Sequence, residues 1–151
     1  MPTRKLQDYL ESHHVQYRLI PHEPTPTAQE AAQAAHISGK HLAKSVVVKI
    51  DGTLGLAILP ATDMVHLDQL RQSLGTQNVD FAAEDEFAPK FSDCEVGAIP
   101  PFGNLYGMDV YVSQHLREDE EIAFSGGTHH ELVQMTYGDF ERLVHPCVLR
   151  F

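Results

Sequence analysis

Three stretches of this 151-residue chain carry residue types that can do chemistry. The first is Lys44, followed by Ser45, near the head of the apolar run Ala43-Lys44-Ser45-Val46-Val47-Val48-Lys49-Ile50. An ammonium at the entry to a central strand is either a solvated strand end, the usual fate of lysine, or a cation held over a pocket. There it can attract a phosphate or steady a carbonyl. The second stretch is Gly97-Ala98-Ile99-Pro100-Pro101-Phe102-Gly103. Its glycines admit close backbone approach to a ligand, and its two prolines hold one shape. Free N–H groups on so stiff a loop can stabilise an oxyanion, because dipoles already in place need no reorganisation. The competing reading is a structural turn between a helix and a strand. The third stretch, Gly126-Gly127-Thr128-His129-His130, is either another close backbone approach with polar side chains at its rim or a hairpin turn with exposed histidines.

Other chemistries lack their signatures. The chain has ten histidines, but His13-His14 and His129-His130 are adjacent pairs whose side chains diverge on a helix or a strand. HExxH and zinc-type Cys/His spacings are absent, so neither a metal nor a cofactor is expected. No GxSxG elbow or P-loop occurs. Cys94, three residues before Gly97, would need a histidine partner in space to act as a nucleophile. Otherwise Cys94 and Cys147 read as free thiols of a reducing compartment.

The elements that must position these stretches follow from periodicity. Leu6, Tyr9, Leu10 and His13 recur at helical spacing, predicting a helix over Thr3–His13. Val15 to Ile20 alternates and meets Pro21, as an edge strand would. Thr27 with Glu30 forms a capping box for a helix over Ala28–Ala35. Two apolar runs, Ala43–Ile50 and Leu54–Pro60, flank Asp51-Gly52, a hairpin signal; their continuous apolar character places them at a sheet centre. Leu67, Leu70 and Leu74 mark a helix closed by Gly75. A short helix over Ala82–Phe87, strands at Val110–Val112, Glu121–Ser125 and Glu131–Met135, and a helix over Tyr137–Leu143 complete the reading. The fold class expected is α+β: one domain over residues 1–151, its central mixed, largely antiparallel sheet flanked by helices.

Composition sets outer limits. An apolar share of 42% and a charged share of 21% are those of a globular domain. No run is long enough to span a bilayer, and the N-terminus leads into an amphipathic stretch, so a cytoplasmic location is expected. The net charge of −10, from 11 Lys plus Arg against 21 Asp plus Glu, argues against tracking a long nucleic-acid backbone. It allows a local contact near Lys40, Lys44 and Lys49, away from the acidic block of Asp80, Glu84, Asp85 and Glu86.

In order, Thr27-Ala28, Ala43 to Val48, Leu56-Ala57-Ile58-Leu59-Pro60-Ala61, the Gly97–Gly103 loop and Phe124-Ser125-Gly126-Gly127 resemble the YbaK/ProX family, relatives of the editing domain inserted in bacterial prolyl-tRNA synthetase. The resemblance runs from about Leu6 to Val144. It implies a trans-editing aminoacyl-tRNA deacylase that hydrolyses the ester of a mischarged tRNA, commonly proline tRNA carrying a small wrong amino acid. The family's strand-start lysine corresponds to Lys44. Its GxxxP loop corresponds to Gly97 with Pro101, through Ala98, Ile99 and Pro100, and its Gly-rich turn to Gly126-Gly127. Ser45 stands where many relatives carry threonine.

The resemblance thus puts Lys44 and Gly97 to Pro101 at the reacting ester, and Ser45, Phe102, Gly103, Gly126 and Gly127 around the substrate; His130, in the same Gly-rich stretch, is a further candidate for substrate contact. His130 has no clear counterpart and takes no defined role. The partners implied are the acceptor end of an aminoacyl-tRNA and, as an optional companion, an aminoacyl-tRNA synthetase, with no DNA and no membrane. Two other readings stay open: a catalytically silent tRNA- or synthetase-binding module, and a small ester or amide hydrolase using Cys94.

Overall fold

The computed structural model describes residues 3–24, 28–95 and 97–151. Leu6 and Leu10, one turn apart, are wholly buried on the inner side of α1 (Arg4–Ser12), and Thr3 begins the helix by accepting the Leu6 N–H at its Oγ1. β1 (Arg18–Pro21) is shorter than its alternation suggested and lies at a sheet edge, where Pro21 is tolerated. α2 spans Ala28–Ala34; Thr27 of the expected capping box lies outside the described residues.

β2 (Ala43–Ile50) and β3 (Thr53–Pro60) form the expected hairpin. Asp51 and Gly52 both adopt positive φ, 50° and 83°, which matches the strand twist in a two-residue turn. α3 (Leu67–Leu74) stops at Gly75, whose φ of 70° lets its N–H reach Arg71 O at 2.9 Å. β4 (Val79–Phe81), α4 (Glu84–Phe87) and a 3-10 turn over Ala88–Phe91 lead to the loop preceding β5 (Asp109–Ser113). The chain ends through α5 (Gln114–Arg117), β6 (Glu121–Ser125), β7 (Glu131–Thr136), α6 (Tyr137–Val144) and β8 (Cys147–Leu149).

The expected single sheet is two. One has the order β1-β7-β6 and the other β4-β2-β3-β5-β8, with the β2–β3 hairpin inside the larger sheet. Pairing is antiparallel except for β3–β5 and β5–β8. A parallel bridge between Leu42 and Ala123, with the Ala123 N–H bonded to His41 O at 2.9 Å, joins the sheets where β2 begins.

The pleat sorts the hairpin's side chains. Ala43, Val47, Leu56 and Ile58 enter the main core, together with Phe102, Phe124 and Phe140. Val48, Ala57 and Leu59 face the other way, against Leu70 of α3 and Phe151. A third cluster packs α2 residues Ala31 and Ala32 onto Leu42, Ala61, Ala123 and Leu132. Among the described residues no helix is long and apolar enough to cross a membrane.

Candidate functional site

Successive strand residues point to opposite faces, so Lys44 and Ser45 diverge. Lys44 pairs in register with Leu59 and shares its face with Val46 and Val48; Ser45 pairs with Ile58 and faces the core that contains Phe102. The Lys44 ammonium donates to Ala61 O at 3.4 Å. Burial pulls its pKa below the ordinary amine value, and the nearby Asp63 carboxylate opposes that shift. Asp63 also accepts from His115 Nδ1 at 3.0 Å and lines an open cavity of about 410 Å³ with Thr62, His66, Gln69 and Phe151. Ser45 Oγ is shielded from solvent without a hydrogen-bond partner among the described residues, as are Thr128 Oγ1 and His22 Nε2. Such atoms typically carry an uncompensated desolvation cost of about 1–3 kcal/mol each.

The bridge between the sheets sets the start of β2 beside β6. Leu42 and Ala123 are paired there. Lys44 lies two residues beyond Leu42, and Ser125, at the edge of Gly126, lies two residues beyond Ala123.

The Gly97–Gly103 loop is joined to the same turn through Glu95, a residue the sequence reading did not single out. The Glu95 N–H donates to Gly127 O at 2.7 Å, and Glu95 Oε2 accepts the His129 N–H at 3.0 Å. Glu95 Oε1 lies 3.9 Å from His130 Nε2. The turn is also held from β1, since the His22 N–H donates to His130 O at 2.8 Å. Loop, turn and His130 thus come together, with Lys44 on the adjoining strand.

Several expectations narrow in detail. Pro100 and Pro101 have no N–H, and the Ala98 N–H is committed to Glu95 O at 3.1 Å. Gly97 and Ile99 retain N–H groups that donate to no backbone carbonyl among the described residues. Gly97 is exposed with φ 83°, whereas Ala98, Pro100 and Pro101 are buried and serve to shape the loop.

Phe102, expected at the substrate, is instead 0% exposed. Its ring packs 5.6 Å from those of Phe124 and Phe140 and 6.0 Å from Tyr9, so it anchors the loop from beneath. Gly103 is also inside: a Cβ there would lie 2.7 Å from Val110 Cγ2, so the close approach it permits is to its own protein. The same holds at Gly127, where φ is 115° and a Cβ would come within 2.3 Å of Thr3 Cγ2. Gly126, likewise buried, accepts the Thr3 N–H at its carbonyl.

Cys94 has no nucleophile's surroundings. Its thiol lies 3.5 Å from both Tyr106 Oη and Asp93 Oδ1, and burial pushes its pKa up to about 11. Both cysteines are free, as expected. A small cavity of about 90 Å³ behind the loop is lined by Phe87, Phe91, Cys94 and Ile99. A larger cleft of about 470 Å³, between Asn104–Tyr111 and His145–Cys147, is lined by none of the expected site residues. No group of three His, Cys, Asp or Glu among the described residues is placed to hold a metal ion.

Elsewhere, five of the eleven Lys and Arg side chains are paired with carboxylates. Arg4 pairs with Asp8, Lys49 with Glu86, Arg71 with Asp68 and Asp80, Arg117 with Glu141, and Arg142 with Asp139. Among the described residues Lys5, Arg18, Lys40, Lys44, Lys90 and Arg150 form no ion pair, although Asp63 acts on Lys44 at longer range.

A family model for the aminoacyl-tRNA editing domain matches residues 22–143. No curated protein matches the sequence. Among solved structures, a candidate trans-editing enzyme for prolyl-tRNA synthetase is 24% identical, with a TM-score of 0.81 over 97% of this chain and 94% of that one. Hypothetical protein APE2540 is 19% identical, with a TM-score of 0.86 over 97% and 98%. A candidate signal-transduction protein from Marinobacter aquaeolei VT8 is 20% identical, with a TM-score of 0.76 over 97% of this chain but 30% of that one. These likenesses establish the α+β fold, and the family match, which spans most of the sequence and every site residue named above, shows that the chain belongs to the aminoacyl-tRNA editing domain family, with a YbaK/ProX-like character.

Proposed function

We propose that this protein is a trans-acting deacylase that hydrolyses the ester of a mischarged tRNA. The observation that carries the reading is the joining of the Gly97 loop to the Gly126–His130 turn through Glu95, beside the strand that bears Lys44. An aminoacyl ester is already activated, so water can attack it without a protein nucleophile. That fits a thiol at Cys94 held protonated by burial. The N–H groups of Gly97 and Ile99, which donate to no backbone carbonyl among the described residues, would hold the oxyanion of the tetrahedral intermediate, one such donor being worth about 3 kcal/mol. A ribose hydroxyl of the terminal adenosine would orient the attacking water, and Lys44 would hold the terminal phosphate or sugar. The mechanism calls on no metal.

Proline tRNA carrying a small wrong amino acid is the substrate this reading favours, since the family relationship points toward prolyl-tRNA editing. A hydrophobic pocket distinguishes one methylene by only about 1–3 kcal/mol, so discrimination among alanine, serine and cysteine needs polar contacts as well. The test is incubation with Ala-, Ser- and Cys-tRNA. At least one ester should be lost at catalytic enzyme concentrations, with Lys44→Ala slower by on the order of 10²-fold. Retention of every ester at stoichiometric enzyme would overturn the proposal.

A further inference from the structure

We infer that Glu95, which lies outside the GxxxP loop, is the positioning residue that fixes the oxyanion-binding loop against the Gly-rich turn; the inference rests on the deacylase reading. Two kinds of bond leave this residue. Its backbone donates to Gly127 O at 2.7 Å and accepts from Ala98 N at 3.1 Å, and both bonds would survive a side-chain substitution. Its carboxylate accepts the His129 N–H at 3.0 Å and approaches His130 Nε2 at 3.9 Å, and those interactions would not.

A single bond between two loops is a pivot about which they can rotate. A second bond, two residues along the turn, sets their relative orientation. The carboxylate supplies that second bond, at the root of the loop that carries the Gly97 and Ile99 amides. Misplacing catalytic groups by about 1 Å can cost on the order of 10²-fold in rate. A loosened clamp should therefore act on the chemical step, while tRNA contacts made elsewhere persist.

The experiment compares the parent protein with Glu95→Ala and Glu95→Gln by steady-state deacylation of a mischarged tRNA, and by amide hydrogen exchange at His129 without substrate. Glu95→Ala should lower kcat by about 10- to 100-fold with KM within about threefold, and should speed exchange at His129. Glu95→Gln keeps an oxygen that can accept the His129 N–H, so it should restore both kcat and protection to within about threefold. Should the alanine variant not fold, Glu95→Asp, one methylene too short to reach His129, takes its place with the same expectations.

The inference is overturned if the alanine variant keeps kcat within about twofold of the parent. It is also overturned if glutamine is as slow as alanine, because the charge and not the hydrogen bond would then be the active feature. If the parent hydrolyses no ester, the deacylase reading fails by itself. Exchange then decides the clamp alone: protection with glutamine but not alanine supports it, and equal exchange in all three proteins overturns it.

Discussion

Gly127→Ala places a methyl group where the structure has no room for one. The residue sits at φ 115°, where a side chain costs on the order of 1–3 kcal/mol. The new Cβ would also lie 2.3 Å from Thr3 Cγ2. Thr3 cannot easily withdraw: it is 8% exposed, its N–H is bonded to Gly126 O at 2.8 Å, and its hydroxyl caps α1. Overpacking of this kind costs typically 1–3 kcal/mol, so the total should reach about 2–6 kcal/mol. For a chain of this size that corresponds to a fall in Tm of roughly 10 °C.

Thr3→Ser separates the two contributions, because it removes Cγ2 and keeps the capping oxygen. In that background Gly127→Ala should cost only the backbone strain, about 1–3 kcal/mol. Urea unfolding followed by circular dichroism on the four proteins gives the coupling energy directly. A coupling below about 0.5 kcal/mol, the scale of ordinary additivity error, would refute the packing argument.

Asp63→Asn removes the charge that opposes the burial-driven fall in the Lys44 pKa, so the ammonium should deprotonate at lower pH. The alkaline limb of kcat/KM should then move toward acid, and a limb that stays in place would detach Lys44 from the rate. Cys94, with its thiol raised to about 11, should resist iodoacetamide at pH 8 long after exposed Cys147 is labelled, as peptide mass spectrometry would show. Cys94→Ala should leave deacylation within about twofold of the parent, since no ionised thiol is available to react. Phe102→Ala should cost about 3–5 kcal/mol in urea unfolding, because the ring fills the junction of Phe124, Phe140 and Tyr9.

The strongest sequence signals were those in which local chemistry and tertiary environment agree. Asp51-Gly52 demanded two positive φ angles, and the continuously apolar runs beside it demanded burial on both faces; the β2–β3 hairpin has both. Gly75 closed α3 for the same local reason. β4 and β8 escaped because three residues give no usable period, and their places are set by neighbouring strands. The division into two sheets was likewise invisible, since the parallel bridge at Leu42 is a long-range pairing without a local signature.

At the site, Lys44, the Gly97 loop and the Gly-rich turn could be read from residue type and spacing. The side of the sheet each serves could not. Phe102 sits in a loop that reads as exposed, and only the packed core shows that its ring points inward. Gly103 and Gly127 were expected to admit a ligand close to the backbone; what lies against them in the structure is Val110 and Thr3. Glu95 left no mark because nothing local distinguishes a surface glutamate from one that bonds the backbone of a distant turn. Its position two residues before Gly97 was the only available hint.

The acidic surplus, with five of the eleven Lys and Arg paired to carboxylates among the described residues, has a consequence for how an RNA arrives. Within about a Debye length of the surface, roughly 10 Å at 0.1 M salt, the protein presents its net charge of −10 to a polyanion, and the encounter is repulsive. Added salt should therefore speed the first collision with tRNA, the reverse of its effect on a basic nucleic-acid-binding protein. Selection must then happen at short range, after the acceptor terminus has already met the surface.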